Sequence, residues 1–300
     1  MNPLPVSVVI PTYNRRAALL RVIDSYIEQR CREVIIVDDC SDQPVEVQMT
    51  ALRRDLLSGV GCQLIVIRNR RRLQQPGSRM VGAEHATQAL LLFCEDDVAL
   101  PQGYLHQLYE AHCQGVADIV AGPCVAVTAL NQDPSLREAQ GEKDIINPRF
   151  LTLDAAVTIR QPIAVPFLHT IALVPRKIVL EVPFDVGYQG NGFREETDFY
   201  IRCLEKGYRL ALVPAPAALH YKGIDSLCGG QHASPTLNAF LRYEYDVLRN
   251  NYRFLKKNRS ILVSIAGPRL TPALEALLYS GRRVLGWYGR LRFLIQVGSP

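Results

Sequence analysis

Ala89-Leu90-Leu91-Leu92-Phe93-Cys94-Glu95-Asp96-Asp97 is the stretch that decides how this chain folds. An apolar run with no polar alternation is the pattern of a strand buried on both faces of a sheet. It ends in three consecutive acids, which repel one another and need a positive partner. In an open α/β sheet, ligands bind beyond the carboxyl ends of the strands, at the point where strand order switches. A divalent cation with hard oxygen ligands meets both conditions, and Mg2+ or Mn2+ leaves positions free for phosphate oxygens. The plain alternative is an acidic turn in solvent, ahead of a helix that Pro101 opens.

The preceding residues repeat one unit. Residues 6–10 form a β-branched strand closed by Pro11-Thr12-Tyr13-Asn14, and a helix over 15–29 follows, its apolar stripe made by Leu19, Leu20, Val22, Ile23, Tyr26 and Ile27. Residues 34–37 form a second strand ending in Asp38-Asp39-Cys40-Ser41; a weaker helix over 45–58 leads to a third strand over 63–68. Gly77 and Ser78 open a helix to about residue 88. Strand and helix in strict alternation predict a parallel sheet with right-handed crossovers. Polar or acidic residues end at least three of the strands, so they share one rim, where a nucleotide would lie.

Downstream, a helix is expected over 101–114, a strand over 118–127, a long surface loop over 129–149, a strand over 163–174 and a short helix over 175–181. Gly187, Gly190 and Gly192 lead into Glu195-Glu196-Thr197-Asp198 and a helix that Gly207 stops. Acids in a first helical turn also suit the helix dipole, so this cluster has a purely structural explanation beside a chemical one. A strand over 209–213 and His220 follow, then a Gly/Ser-rich loop over 223–236 and a mainly helical tail.

The bulk properties exclude several classes. With 48% hydrophobic residues, the 300-residue chain can bury a large core. No apolar run is long enough to span a bilayer, and the first residues lack the basic-then-apolar pattern of a secretory signal. Eight cysteines without metal-like pair spacing fit a reduced, cytoplasmic setting. The net charge of +5 is uneven, with eleven Lys and Arg against three acids beyond residue 240. That asymmetry predicts either an ordinary solvated helical surface or contact with an anionic partner, here the inner face of a membrane touched by the basic, aromatic segment 282–297. No nucleic-acid partner is expected.

In their order along the chain, these motifs resemble those of a family-2 glycosyltransferase of the GT-A fold, over residues 6 to about 220. Val-Ser-Val-Val-Ile-Pro-Thr-Tyr-Asn-Arg at 6–15 is similar to the family's first strand and turn, and Val-Asp-Asp-Cys-Ser at 37–41 to its second. Gly77-Ser78-Arg79 resembles its Gly-x-x-Arg helix start, Glu95-Asp96-Asp97 its D-x-D metal site, Glu195-Glu196-Thr197-Asp198 its Glu-Asp-x-Asp helix, and His220 its late histidine. The chain departs from the pattern at Glu95 and Glu196, where a carboxylate is kept but lengthened by one methylene.

The resemblance implies a mostly parallel nucleotide-binding sheet flanked by helices, with a helical C-terminal extension. Residues 1–125 would form the donor half, 126–222 the acceptor half, and 223–300 the extension. It implies transfer of a sugar from a nucleoside-diphosphate sugar to an acceptor hydroxyl on a glycan or lipid-linked molecule, with inversion and with Mg2+ or Mn2+ bound. Asp97, Glu95 and His220 would be the metal ligands and Glu196 the base; apolar Phe193 and Phe199 nearby would raise its pKa. Pro11, Thr12, Tyr13, Asn14, Asp39, Arg79, Asp96 and Glu195 would contact donor or acceptor: Asp39 a uracil-like imide, Asp96 the ribose, Arg79 a nucleobase or phosphate. Arg202 reads as a helix ion-pair partner, and His220 has a structural explanation as a strand-end histidine. Two rival readings are excluded. A receiver domain needs its acidic pair after the first strand and an early Lys, whereas the first Lys here is Lys143; a pyrophosphorylase needs a Gly-rich loop where Pro11-Thr12-Tyr13-Asn14 stands. A catalytically silent nucleotide-sugar- or carbohydrate-binding module is the alternative from another class. The loops over 129–149 and 223–236 are expected to flank the donor cleft.

Overall fold

The computed structural model describes residues 2–45, 54–128, 135–221, 237–266 and 275–283. The first third is the expected alternation: β1 (Leu4–Thr12), α1 (Arg16–Ile27), β2 (Cys31–Asp38), α2 (Arg54–Val60), β3 (Gln63–Arg68), α3 (Gln74–His85) and β4 (Leu90–Phe93). These four strands lie side by side in the order β3-β2-β1-β4, all parallel. Parallel neighbours need a crossover, and α1 and α3 supply two of them. Of the helix expected over 45–58, only α2 lies within the described residues.

The next elements are β5 (Val98–Ala99), α4 (Tyr104–Cys113), β6 (Ile119–Ala121), β7 (Cys124–Val127), β8 (Arg137–Glu138), α5 (Glu142–Ile145), β9 (Ile146–Asn147), β10 (Thr152–Leu153) and β11 (Val157–Thr158). Then come β12 (Ile163–Ala164), β13 (Ala172–Pro175), α6 (Arg176–Glu181), α7 (Glu195–Glu205), β14 (Leu210–Leu212), β15 (Ala218–Tyr221), α8 (Leu237–Lys257) and α9 (Arg259–Ala266); residues 275–283 are also helical. The large sheet runs β12-β14-β6-β13-β4-β1-β2-β3, with β13 antiparallel to both neighbours and β12 antiparallel to β14. A second sheet, β5-β15-β7, stands apart from it.

Three expectations for the middle of the chain are corrected. The strand over 118–127 breaks at Gly122-Pro123: β6 stays in the large sheet and β7 joins the small one. Proline cannot donate to a ladder, and a Cβ on Gly122 would stand 2.7 Å from the Tyr104 ring. The strand over 163–174 likewise splits into β12 and β13, with Pro166 and the buried Phe167 and Leu168 between. Within the loop expected over 129–149, the described residues hold β8, α5 and β9, paired with β11 and β10.

Alternate residues of the central strands enter two cores. Val9, Ile35, Leu91 and Phe93 face one side of the sheet, while Val8, Ile36 and Leu92 face the other. Each such side chain contributes about 1.5–3 kcal/mol on burial. Helix α3 lies close over β1 because Gly82 has no side chain; a Cβ there would meet Val9 Cγ1 at 2.3 Å. Phe254, Leu255 and Leu262, from α8 and α9, close the first core. Among the described residues no helix is long and apolar enough to cross a membrane.

Candidate active site

The main-chain ladder carries one residue past β4, with Cys94 N donating to Val9 O at 2.9 Å, and the three acids then turn away from the sheet. Tyr26, reaching from α1, places its hydroxyl between the carbonyls of Glu95 and Val98 and fixes that turn. The turn's other end is held by β15, where Tyr221 N donates to Asp97 O at 2.9 Å and His220 pairs with Val98. Sheet pairing thus brings a residue 123 positions downstream onto the acids.

The three acids have different surroundings. Asp96 accepts from Thr12 Oγ1 at 2.7 Å and Arg15 at 2.8 Å. Burial outweighs these partners and, with Asp97 adjacent, pushes its carboxyl up to about 7. Asp97 is also buried, which raises its pKa, but His220 at 3.4 Å and Arg15 at 2.7 Å prevail and hold it down at about 2. Glu95 instead faces Arg79 at 3.5 Å. One ligand atom each from Glu95, Asp97 and His220 lies within 4.8 Å of the others, so these residues can converge on one ion. Two carboxylates and an imidazole suit Mn2+ or Mg2+; among the described residues no cysteine joins the group.

Arg79 links this cluster to the second one. The Arg79 guanidinium, 1% exposed, forms an ion pair with Glu195, also 1% exposed, while its other end meets Glu95. A solvated position, usual for an Arg at a helix start, is therefore wrong for Arg79, because α3 faces it inward beside the Phe184 ring. Glu196, the next residue on α7, is pushed up by burial; Arg79 opposes that rise and Glu95 adds to it. Both groups that border the cation cluster thus act on its charge, so acids a hundred residues apart share one electrostatic site.

The start of α7 is held firmly. Arg194 has a left-handed backbone, φ +74°, a strained conformation for a non-glycine residue. Its buried side chain donates to the carbonyls of Phe150 (2.6 Å) and Leu151 and to Asn251. Asp198, fully buried, accepts from Tyr188, Arg202, Lys257 and Asn258 at 2.7–3.0 Å, which ties α7 to the C-terminal helices. Arg202 is the helix ion-pair partner that its spacing suggests.

The remaining candidates line the rim of β1 and β2. Pro11 pairs in register with Val37. Tyr13 lies under the Arg72 guanidinium at 3.7 Å. The Asn14 side chain exchanges hydrogen bonds with Asp42, so it joins the first two rim loops. Asp39 accepts from Asn69 and from the backbone of Leu73 and Gln74, fixing the loop that carries Arg72. Asp38 holds its own turn through Ser41. The sequence reading missed Arg15, Tyr26 and Arg72. A cation three residues beyond a strand end, on a rim with three acids, is the signal that would have found Arg15. The loop over 223–236 and most of the basic, aromatic segment 282–297 lie outside the described residues.

The profile of the family described as Glycosyl transferase family 2 matches residues 7–170, more than half of the chain. The chain belongs to that family. Two relatives resemble it over shorter stretches. An uncharacterized glycosyltransferase of Haemophilus influenzae is 35% identical over 94 residues, 31% of this chain and 29% of the relative. The undecaprenyl-phosphate 4-deoxy-4-formamido-L-arabinose transferase of Pseudomonas paraeruginosa is 31% identical over 125 residues, 38% of this chain and 35% of the relative. The matched part is about a third of the length of these relatives. The solved structure of S. aureus TarS 1–349 with UDP-GlcNAc superposes with a TM-score of 0.53 at 14% identity, covering 89% of this chain and 74% of that one. GalNAc-T7, solved with UDP, GalNAc and Mn2+, gives 0.56 at 16% identity, covering 88% and 56%. At such identities the likeness concerns the fold, which is that of the GT-A glycosyltransferases.

Proposed function

We propose that this family-2 glycosyltransferase transfers its sugar with inversion and cation assistance, using Glu196 as the single base. The observation that carries the reading is the Arg79 bridge, which joins Glu95 of the cation cluster to the segment bearing Glu196. Burial raises the Glu196 carboxyl above its ordinary value, the direction that makes it a stronger base. In the proposed step Glu196 removes the acceptor hydroxyl proton, that oxygen bonds to the anomeric carbon from the face opposite the diphosphate, and the carbon–oxygen bond to the diphosphate breaks with its electron pair leaving on phosphate. Glu95, Asp97 and His220 would hold Mn2+ or Mg2+, which as a Lewis acid would neutralise the departing diphosphate. Arg79 keeps Glu95 and Glu195 in place; Thr12 and Arg15 do the same for Asp96. Pro11, Tyr13 and Asp39 form the wall against which base and ribose would lie.

A uridine diphosphate sugar is the donor that the UDP-bound structures of the two fold neighbours favour. The name of the Pseudomonas paraeruginosa relative favours a lipid-linked or glycan acceptor. The test is a panel of nucleotide sugars with Mn2+ or Mg2+, scoring nucleoside diphosphate release and the anomeric configuration of the product by NMR. Release with inverted product is expected for one donor. A retained configuration, or no release with any donor and acceptor pool, refutes the proposal.

A further inference from the structure

Helix α8 is docked through part of its circumference only. Val247, Phe254 and Leu255 are buried beneath it, and Arg253 and Lys257 hold Asp185 on the loop before α7, at 2.9 and 2.7 Å. Another face carries Leu241, Tyr245 and Tyr252, which are 51%, 62% and 50% exposed. At about 100° per residue these three lie within about 40° of one another around the helix axis. Single exposed apolar side chains are ordinary on a protein surface, whereas a stripe of them marks a contact. Of the six large apolar side chains exposed among the described residues, three are in this stripe. A fourth, Leu277, is on the helix over 275–283, which Arg283 ties to Glu244 of α8.

Cations run beside the stripe. Arg242, Arg249 and Lys256 recur at a seven-residue spacing, which keeps them along one flank of it. Arg249 leans on Asp246 at 3.4 Å. Arg242 and Lys256 are exposed and have no acidic partner among the described residues. Over residues 237–266 there are six Lys and Arg against two acids, Glu244 and Asp246. Both acids are withdrawn: Glu244 is 2% exposed and paired with Arg283, and Asp246 is engaged by Arg249. Among the described residues of α8, no exposed carboxylate offsets the row of cations.

We propose that this face of α8 is a membrane-contact surface that lies on a leaflet of anionic phospholipid. Tyrosine suits that boundary, with an apolar ring for the acyl region and a hydroxyl for the headgroups. Arg and Lys reach phosphates while their stems cover apolar surface. A soluble polyanion would satisfy Arg242 and Lys256 but leave Leu241, Tyr245 and Tyr252 against water. The core of a protein interface is depleted of charge, so a row of cations along the stripe disfavours a protein partner. Among the described residues no helix is long and apolar enough to cross a membrane, and α8 lies in the surface rather than spanning it. The contact thus falls on α8, ahead of the segment 282–297 to which composition alone points. The proposal deepens the lipid-linked acceptor reading and rests on it for its purpose, since an acceptor held in the leaflet meets an enzyme held on it. The C-terminal end of α8 is also joined to the helix of Glu196, because Asp198 accepts from Lys257 at 2.9 Å and Asn258 at 2.8 Å.

The test is co-sedimentation of the full chain with phosphatidylglycerol and with phosphatidylcholine vesicles at low salt. Phosphatidylglycerol is expected to bind it about tenfold more tightly than phosphatidylcholine, with affinity falling as salt screens the cations. Each cation at an anionic surface multiplies affinity by roughly fivefold, so R242Q/K256Q is expected to lose about twentyfold. Y245S/Y252S, which removes two apolar rings from the contact, is expected to lose about tenfold. All four positions are exposed, so both variants are expected to keep the parent's Tm and UDP·Mn2+ affinity. No binding to phosphatidylglycerol, or equal binding to phosphatidylcholine, overturns the proposal. So does binding that both variants retain in full. Binding lost in R242Q/K256Q but unchanged in Y245S/Y252S also overturns it, because a site for polyanions alone behaves that way. A chain that ignores vesicles, dimerises in the ultracentrifuge and becomes monomeric in Y245S/Y252S assigns the face to a second copy and overturns it too. Failure of UDP·Mn2+ to bind the unsubstituted chain instead strikes the donor reading, and the vesicle series still decides this proposal.

Discussion

Replacing Arg79 by Met removes the cation that bridges Glu95 and Glu195. Both Arg79 and Glu195 are 1% exposed, so water cannot take over the charge of Glu195. Breaking a buried pair by removing one partner costs about 3–5 kcal/mol, because an uncompensated charge stays behind. For a chain of this size each kcal/mol lowers Tm by roughly 2–4 °C, so R79M should melt about 6–20 °C below the parent. The deficit should also depend on pH. In the variant the carboxyl of Glu195 is harder to ionise in the folded than in the unfolded chain, so the loss is full at neutral pH and shrinks as pH falls and Glu195 takes a proton. The double substitution R79M/E195Q removes the orphaned charge and should recover a good part of the loss. Differential scanning calorimetry between pH 4.5 and 8, values chosen to bracket carboxyl titration, reads all three. A loss below about 1 kcal/mol, or no recovery in R79M/E195Q, refutes the idea that this bridge is what joins the two acidic clusters.

Three further outcomes follow from the same geometry. Arg15 and a divalent cation compete for Asp97, so R15Q should bind Mn2+ about tenfold more tightly than the parent in the absence of nucleotide, measured by calorimetry. Because Glu196 must be ionised to act and burial raises its pKa, kcat/KM should fall as pH drops through a midpoint above the ordinary Glu range; R79M should move that midpoint higher still, since Arg79 favours the charged form. Asp198 accepts four hydrogen bonds in full burial, so D198N should cost about 3 kcal/mol by urea unfolding and loosen α8 from α7, seen as faster amide exchange in α8.

The first four strands were legible in the sequence because their pattern is local: β-branched runs, each ended by polar residues, with a helix between. The acids at 95–97 were legible for the same reason, since three like charges after an apolar run need a partner wherever the chain goes. The middle of the chain was not. Whether residues 118–127 make one strand or two depends on Tyr104, fourteen residues earlier, filling the space a Cβ on Gly122 would need. The pairing of Arg79 with Glu195 was not legible, because a helix-start Arg looks the same in sequence whether it meets solvent or a buried acid. Arg15 was passed over because its partners lie more than eighty residues away, and only the parallel pairing of β1 with β4 brings them together. Local pattern locates groups that need compensation; the sheet register decides which group compensates them.

The most direct test of a single site built from Asp97 and Glu196 is a count of bound Mn2+ by electron paramagnetic resonance with UDP present, in the parent, D97N and E196Q. The parent and E196Q should each hold one tightly bound ion while E196Q loses turnover, and D97N should lose both the ion and turnover. Undiminished Mn2+ binding in D97N, or undiminished turnover in E196Q, would contradict the account.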